Sequence, residues 1–230
     1  LIDETFMKQP QSPHLKTTQQ PEESWWVEAT KTVGLSLLLA FGIRTFVAEA
    51  RFIPSGSMEP TLQIHDRLII DKITYRFRDP ERGDIVVFNP TKSLKRAKFK
   101  EAFIKRVIGT PGDRIEIKDG VVWVNNRPTQ ENYTAKDLTS NPSPETCRNN
   151  FETAEVDSQK IDPPIPIFLE VPQTIPSNHY LVLGDNRGNS YDGRCWGLVD
   201  REDLVGRAIF RFWPFDRIGS LPDANGVGGN

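Results

Sequence analysis

The chain has 230 residues, a formal net charge of −2, 37% hydrophobic and 26% charged residues, 18 prolines and 16 glycines. This length suits one domain of fair size or a smaller one with appendages, and the prolines and glycines argue for strands and turns over a long helical bundle. A net charge near zero lacks the basic excess that phosphate binding requires, which sets nucleic acid aside as a partner.

Residues 1–24 are polar, carry Pro10, Pro13 and Pro21, and show no helical apolar period; they are expected to form a flexible tail. At Trp25 the pattern changes. A tryptophan pair is followed by the uncharged run Thr32 to Ile43 and then by Arg44, Phe46 and Val47. The uncharged run falls short of the ~18 residues of a clear spanning helix. Trp25 and Trp26 suit an interfacial belt, and Lys31 and Arg44 can extend their charges toward headgroups. We therefore expect residues 25–48 to be an uncleaved transmembrane anchor, in preference to a surface helix or a cleavable leader.

From residue 49 to 216 the sequence predicts a mainly β domain. Strands are expected at Arg67 to Ile73, Asp84 to Phe88, Phe103 to Ile108, Arg114 to Ile117, Val121 to Val124, Tyr180 to Leu183 and Val205 to Trp213. Asp119-Gly120 is a hairpin signal because glycine, and aspartate more than most residues, tolerates positive φ. Residues 126–177 are polar and proline-rich and read as a variable insertion on the strand core, and residues 217–230 as a second flexible tail. Lys95, Arg96, Lys98, Lys100, Lys105 and Arg106 form a basic stretch that reads mostly as a solvated face, with anionic headgroups as the alternative. Cys147 and Cys195 permit one disulfide in an oxidising compartment and leave the question open.

The chemistry centres on Ser57, in the run Pro54-Ser55-Gly56-Ser57-Met58-Glu59-Pro60-Thr61-Leu62. A serine hydroxyl needs a base to become a nucleophile. The three histidines, His14, His65 and His179, lie in a tail, in an expected turn and before a strand, with no sign of triad geometry. A lysine serves instead when desolvation keeps it neutral; Lys105, set among Phe103, Ile104 and Val107, has an apolar setting, although taken alone it reads as an exposed strand lysine and only the serine motif shifts that reading. Asp185-Asn186-Arg187-Gly188-Asn189 has a superficial look of a calcium loop, but Arg187 stands at its third position and Trp196 where a bidentate glutamate would be needed, so no metal site is expected.

The serine motif, the Arg67 to Lys72 strand, Lys105-Arg106-Val107-Ile108-Gly109-Thr110-Pro111-Gly112-Asp113 and Gly184-Asp185-Asn186-Arg187, in this order after an apolar segment, resemble the type I signal peptidases. These are membrane-anchored Ser/Lys proteases that remove signal peptides from exported proteins. The resemblance implies a signal-peptidase-like β catalytic domain with Ser57 as nucleophile and Lys105 as general base. It also implies an oxyanion hole from the Ser57 N–H and the Ser55 hydroxyl. Ser190 would orient the lysine amine, with Asp192 and Arg194 as a bracing ion pair and Arg106 as a supporting residue. Ile53, Met58, Leu62, Phe103 and Ile104 would line pockets for small substrate side chains, with ordinary core packing as the alternative reading. Gly188 and Gly193 depart from the acidic or asparagine residue and the serine common at these positions. The implied partners are signal-peptide-bearing preproteins and a lipid bilayer, bacterial cytoplasmic or thylakoid, with the catalytic domain on the exported side; no cofactor is implied. The alternatives are an inactive anchored domain that only binds extended peptides, and a self-cleaving repressor, for which no DNA-binding helix is evident.

Overall fold

The computed structural model describes residues 24–135, Cys147 and residues 168–222. The expected flexible tail at residues 1–23, most of the expected insertion and residues 223–230 lie outside the described residues.

Helix α1 (Trp25–Gly42) continues into a π turn, Ile43–Val47. Together they make a 23-residue stretch with no fully buried residue, whose 18-residue apolar window has mean hydropathy 1.3, long and apolar enough to cross a membrane. At ~1.5 Å per residue it reaches roughly 34 Å, the thickness of a hydrocarbon core with some tilt. The hydroxyls of Thr30, Thr32 and Ser36 donate to the carbonyls of Trp26, Glu28 and Thr32, so these polar side chains are satisfied inside the helix. This resolves the short uncharged run: the helix takes in the flanking Trp25 to Lys31 segment.

The remaining elements are strands with short helical turns. The strands are β1 (Ala48–Phe52), β2 (Arg67–Asp71), β3 (Ile85–Phe88), β4 (Phe103–Gly109), β5 (Arg114–Lys118), β6 (Val121–Val124), β7 (Arg127–Pro128), β8 (Gln173–Thr174), β9 (His179–Leu183), β10 (Val199–Asp200), β11 (Leu204–Trp213) and β12 (Gly219–Ser220). Short helices α2 (Lys92–Arg96) and α3 (Gly193–Trp196) interrupt them. One sheet runs β1-β2-β11-β3-β4-β9-β10, with β12 paired to β11; the other runs β7-β6-β5-β8. Every pairing is antiparallel. The fold is mainly β, as the sequence implies.

The burial pattern follows from strand position. All four residues of β3 are buried, since it is flanked by β11 and β4 and covered on both faces, whereas β2 alternates. The β5–β6 turn has Asp119 at φ 50° and Gly120 at φ 77°, the left-handed pair that a two-residue hairpin of this twist requires. In the register of β3 and β4, Val86 lies opposite Lys105 and Ile85 opposite Arg106, so the expected base sits in an interior strand. Cys147 and Cys195 form a disulfide, and both are buried with Phe88, Val107, Val182 and Trp196.

Two differences from the sequence reading have physical causes. Residues 219–220 pair with β11 and Leu221 is buried, so ordered structure continues past residue 216; two strand residues are too few to show a period. The basic stretch is partly ion-paired, Lys95 lying 3.4 Å from Asp203, while Lys105 and Arg106 leave it altogether for the interior.

Phe88 is fully buried and packs on Phe103 and Trp196 at centroid separations of 5.8 and 5.7 Å. Phe88→Ala is expected to lower unfolding free energy by about 3–5 kcal/mol, measured by denaturant titration of the protein.

Candidate active site

Ser57 lies in a single 3₁₀ turn, Gly56–Met58, entered from Ser55 in an extended conformation. The turn is anchored from below. Met58 and Leu62 are completely buried, and the Leu62 N–H donates to the Met58 carbonyl at 2.9 Å. Lys105 approaches from β4, its Nζ 2.7 Å from Ser57 Oγ and 3.0 Å from the Ile104 carbonyl, to which it donates. The lysine is 4% exposed. Burial pushes its pKa down to about 8, against the pull of the Asp192 and Asp185 carboxylates and with help from the Arg194 charge.

The third part of the site is the loop from Gly184 to Arg194. The Asn186 N–H donates to the Ser57 carbonyl at 3.2 Å and its side-chain amide to the Gly56 carbonyl at 3.1 Å, so one residue holds the serine turn twice. A Cβ added at Gly184 would stand 2.5 Å from both the Ser57 carbonyl oxygen and Ser190 Cβ; only glycine permits this approach. Asp192 accepts from Arg194 Nε at 2.8 Å and from the Gly184 N–H at 2.9 Å. Burial would raise the Asp192 pKa, but Arg194 and the Gly184 N–H hold the carboxyl below its usual range. Arg106 forms a two-pronged pair with Asp185 at 2.8 and 2.7 Å, and Asp185 also accepts from the Thr61 hydroxyl. These charges are buried as partners, which offsets much of their desolvation cost.

The cleft over the dyad encloses about 300 Å³ and is lined by Pro54, Ser55, Gly56, Ser57, Phe99, Glu101, Ala102, Phe103, Ile104, Lys105, Asn189 and Tyr191. Of the expected pocket residues, Phe103 and Ile104 line it. Ile53, Met58 and Leu62 do not: they pack inward with Leu68, Ile70, Ile85 and Val87, carrying the turn instead of the substrate surface. Ser55 is exposed at the cleft. The Lys105 amine meets Ser57 Oγ and the Ile104 carbonyl, while Ser190 Oγ, fully buried, finds no partner in hydrogen-bonding geometry among the described residues. His65 stands against Phe52, and His179 Nε2 is 2.7 Å from Asp200. Sequence reasoning assigned nothing to Phe99, Glu101, Ala102, Asn189 or Tyr191. The first three precede an expected strand and the last two flank Ser190, which was the available signal. No cluster suited to holding a metal ion occurs among the described residues.

Residues 26–213 match the family described as signal peptidase, peptidase S26. The chain belongs to that family. A probable signal peptidase I-2 of Synechocystis is 50% identical over 208 residues, 90% of this chain and 83% of the relative. A signal peptidase I of Leptolyngbya laminosa is 45% identical over 216 residues, 92% and 93% of the two chains. A probable thylakoidal processing peptidase 2 of Arabidopsis thaliana is 31% identical over 196 residues, covering 84% of this chain and 46% of that one. The family match takes in α1 from Trp26, the serine turn, β4, the 184–194 loop and all of β11.

For this signal peptidase family member, Gly184→Ala is expected to displace either the Ser57 carbonyl or Ser190. A reduction in turnover of about 100-fold should follow, measured with a peptide carrying a small-residue cleavage site, with circular dichroism showing a folded β domain.

Proposed function

We propose that the protein is a membrane-anchored serine endopeptidase that removes N-terminal signal peptides from exported preproteins, with Ser57 as nucleophile and Lys105 as general base. The observation that carries this reading is the buried Lys105 amine 2.7 Å from Ser57 Oγ. An amine whose pKa is brought to about 8 is neutral in a useful fraction near neutral pH. One of its N–H bonds goes to the Ile104 carbonyl, which orients the lone pair toward the serine hydroxyl.

In this mechanism the preprotein lies extended in the cleft. Lys105 takes the Ser57 proton as the oxygen attacks the scissile carbonyl. The Ser57 N–H and the Ser55 hydroxyl receive the developing oxyanion, donors of a kind often worth about 3 kcal/mol each. The protonated lysine passes its proton to the leaving amine of the mature protein, leaving the signal peptide esterified to Ser57. Water then attacks the ester, Lys105 accepting its proton and passing it to Ser57 Oγ as the ester bond breaks and the signal peptide leaves with a free carboxyl group. Phe103 and Ile104 favour small apolar side chains beside the cut. Ser190 shares the buried loop with Asp192 and supports the amine's surroundings. The α1 segment holds the enzyme to the bilayer, with the catalytic domain on the exported side, where precursors emerge.

Ser57→Ala and Lys105→Ala are each expected to reduce cleavage of a labelled preprotein by at least about 1,000-fold, as loss of an activated nucleophile or its base does. Both variants should keep the circular dichroism spectrum of the parent. Full activity in the lysine variant would end the dyad reading, and peptide binding without cleavage by the parent protein would favour the inactive alternative.

The pH dependence has a definite sign. The working form of Lys105 is unprotonated, so kcat/KM should rise through a midpoint near pH 8 and fall about tenfold per unit well below it. A profile flat from mildly acidic to alkaline pH would contradict this assignment.

A further inference from the structure

A short segment outside the serine, lysine and Gly184 motifs grips the loop from Gly184 to Arg194. Glu131 Oε2 accepts from Arg187 Nη1 at 2.8 Å, and Oε1 accepts from Nη2 at 2.6 Å. The Tyr133 hydroxyl donates to the same Oε1 at 2.9 Å, while its ring lies 4.2 Å from the Arg106 guanidinium. The Ala135 N–H donates to the Asp185 carbonyl at 3.2 Å. Residues 131–135 thus hold both the neighbour of Lys105 on β4 and the loop that pins Ser57.

Arg187 is the link. It is 1% exposed, its Nε donates to the Gly184 carbonyl at 3.0 Å, and its own carbonyl accepts from Arg194 Nη2 at 2.7 Å. A guanidinium stays in so dry a place only beside a carboxylate, and a buried charge stripped of its partner moves toward water or drags its surroundings with it. Movement of Arg187 would shift Gly184 and Asn186, the residues packed on and bonded to the Ser57 carbonyl. None of residues 131–135 lines the cleft.

We propose that residues 131–135 form a strap that sets the catalytic loop against β4, and that Glu131 is a positioning residue for proton transfer between Ser57 and Lys105. This rests on the Ser57–Lys105 reading given above. A strap that only stabilised the fold would change the folded fraction and leave the turnover of each folded molecule as it was. A positioning strap lowers kcat and leaves KM alone.

The test uses the full chain in detergent and a fluorogenic peptide with a small-residue cleavage site. Glu131→Ala should lower kcat by about 100-fold, the scale of a misplacement near 1 Å, with KM within about twofold. Glu131→Gln, which keeps an acceptor for Arg187 but loses the charge, should fall by about tenfold, and Glu131→Asp should recover part of the Ala deficit. Rates are normalised to the folded fraction from thermal melts. Wild-type kcat per folded molecule in the Ala variant overturns the proposal, as does a loss that appears in KM alone. If Glu131→Ala does not fold, wild-type kcat in both the Gln and Asp variants overturns it equally. Ser57→Ala serves as the reference: cleavage by that variant would sink the dyad reading, whereas a silent Ser57→Ala beside an unaffected Glu131 series removes only the strap.

Discussion

The burial of the Lys105 amine against Ser57 Oγ is the contact around which this site is arranged. Water stabilises an ammonium so strongly that a lysine becomes a base near neutral pH only where water is largely excluded. An interior strand provides that exclusion. β4 lies between β3 and β9, and its central residues are buried. Burial pulls the pKa of the amine down. The Asp192 and Asp185 carboxylates oppose that fall, and each is in turn held by an arginine, so the field at the amine is a balance of fixed partners. The ion pairs therefore matter to the chemistry as well as to the fold.

The same arrangement explains why the site is rigid where it must be. Ser57 sits on one short turn, which could not hold its hydroxyl in place unaided. It is fastened below by Met58 and Leu62 in the core and from the side by Asn186 and the close approach of Gly184. Apolar packing fixes the height of the turn and hydrogen bonds fix its rotation. Such a division of labour is usual where reacting groups are placed on a short connection.

Much of this was legible in the sequence, for reasons that differ by element. Asp119-Gly120 announced its hairpin because turn chemistry is local, and Ser57 and Lys105 stood out because a nucleophile motif and a lysine in an apolar strand are each unusual. Ile53, Met58 and Leu62 read either as pocket or as core, because an apolar residue beside the serine motif looks the same whether it faces substrate or core; only the direction of the chain decides. β8, β10 and β12 have two residues each and carry no period. Glu131 was invisible for another reason: its partner Arg187 is 56 positions away, and no local pattern joins them. The pairing of Cys147 with Cys195 likewise needed three dimensions.

The three parts of the site come from widely separated stretches: Ser57 and Lys105 are 48 positions apart, and Asn186 reaches back 130 positions to Gly56. Contacts of that span form late, because the chain must close large loops before anything rewards it. Until the last strands dock, the serine is an ordinary alcohol on a flexible connection and the lysine an ordinary cation in water. The arrangement of Ser57, Lys105 and Asn186 therefore belongs to the finished shape and to no single stretch of the chain.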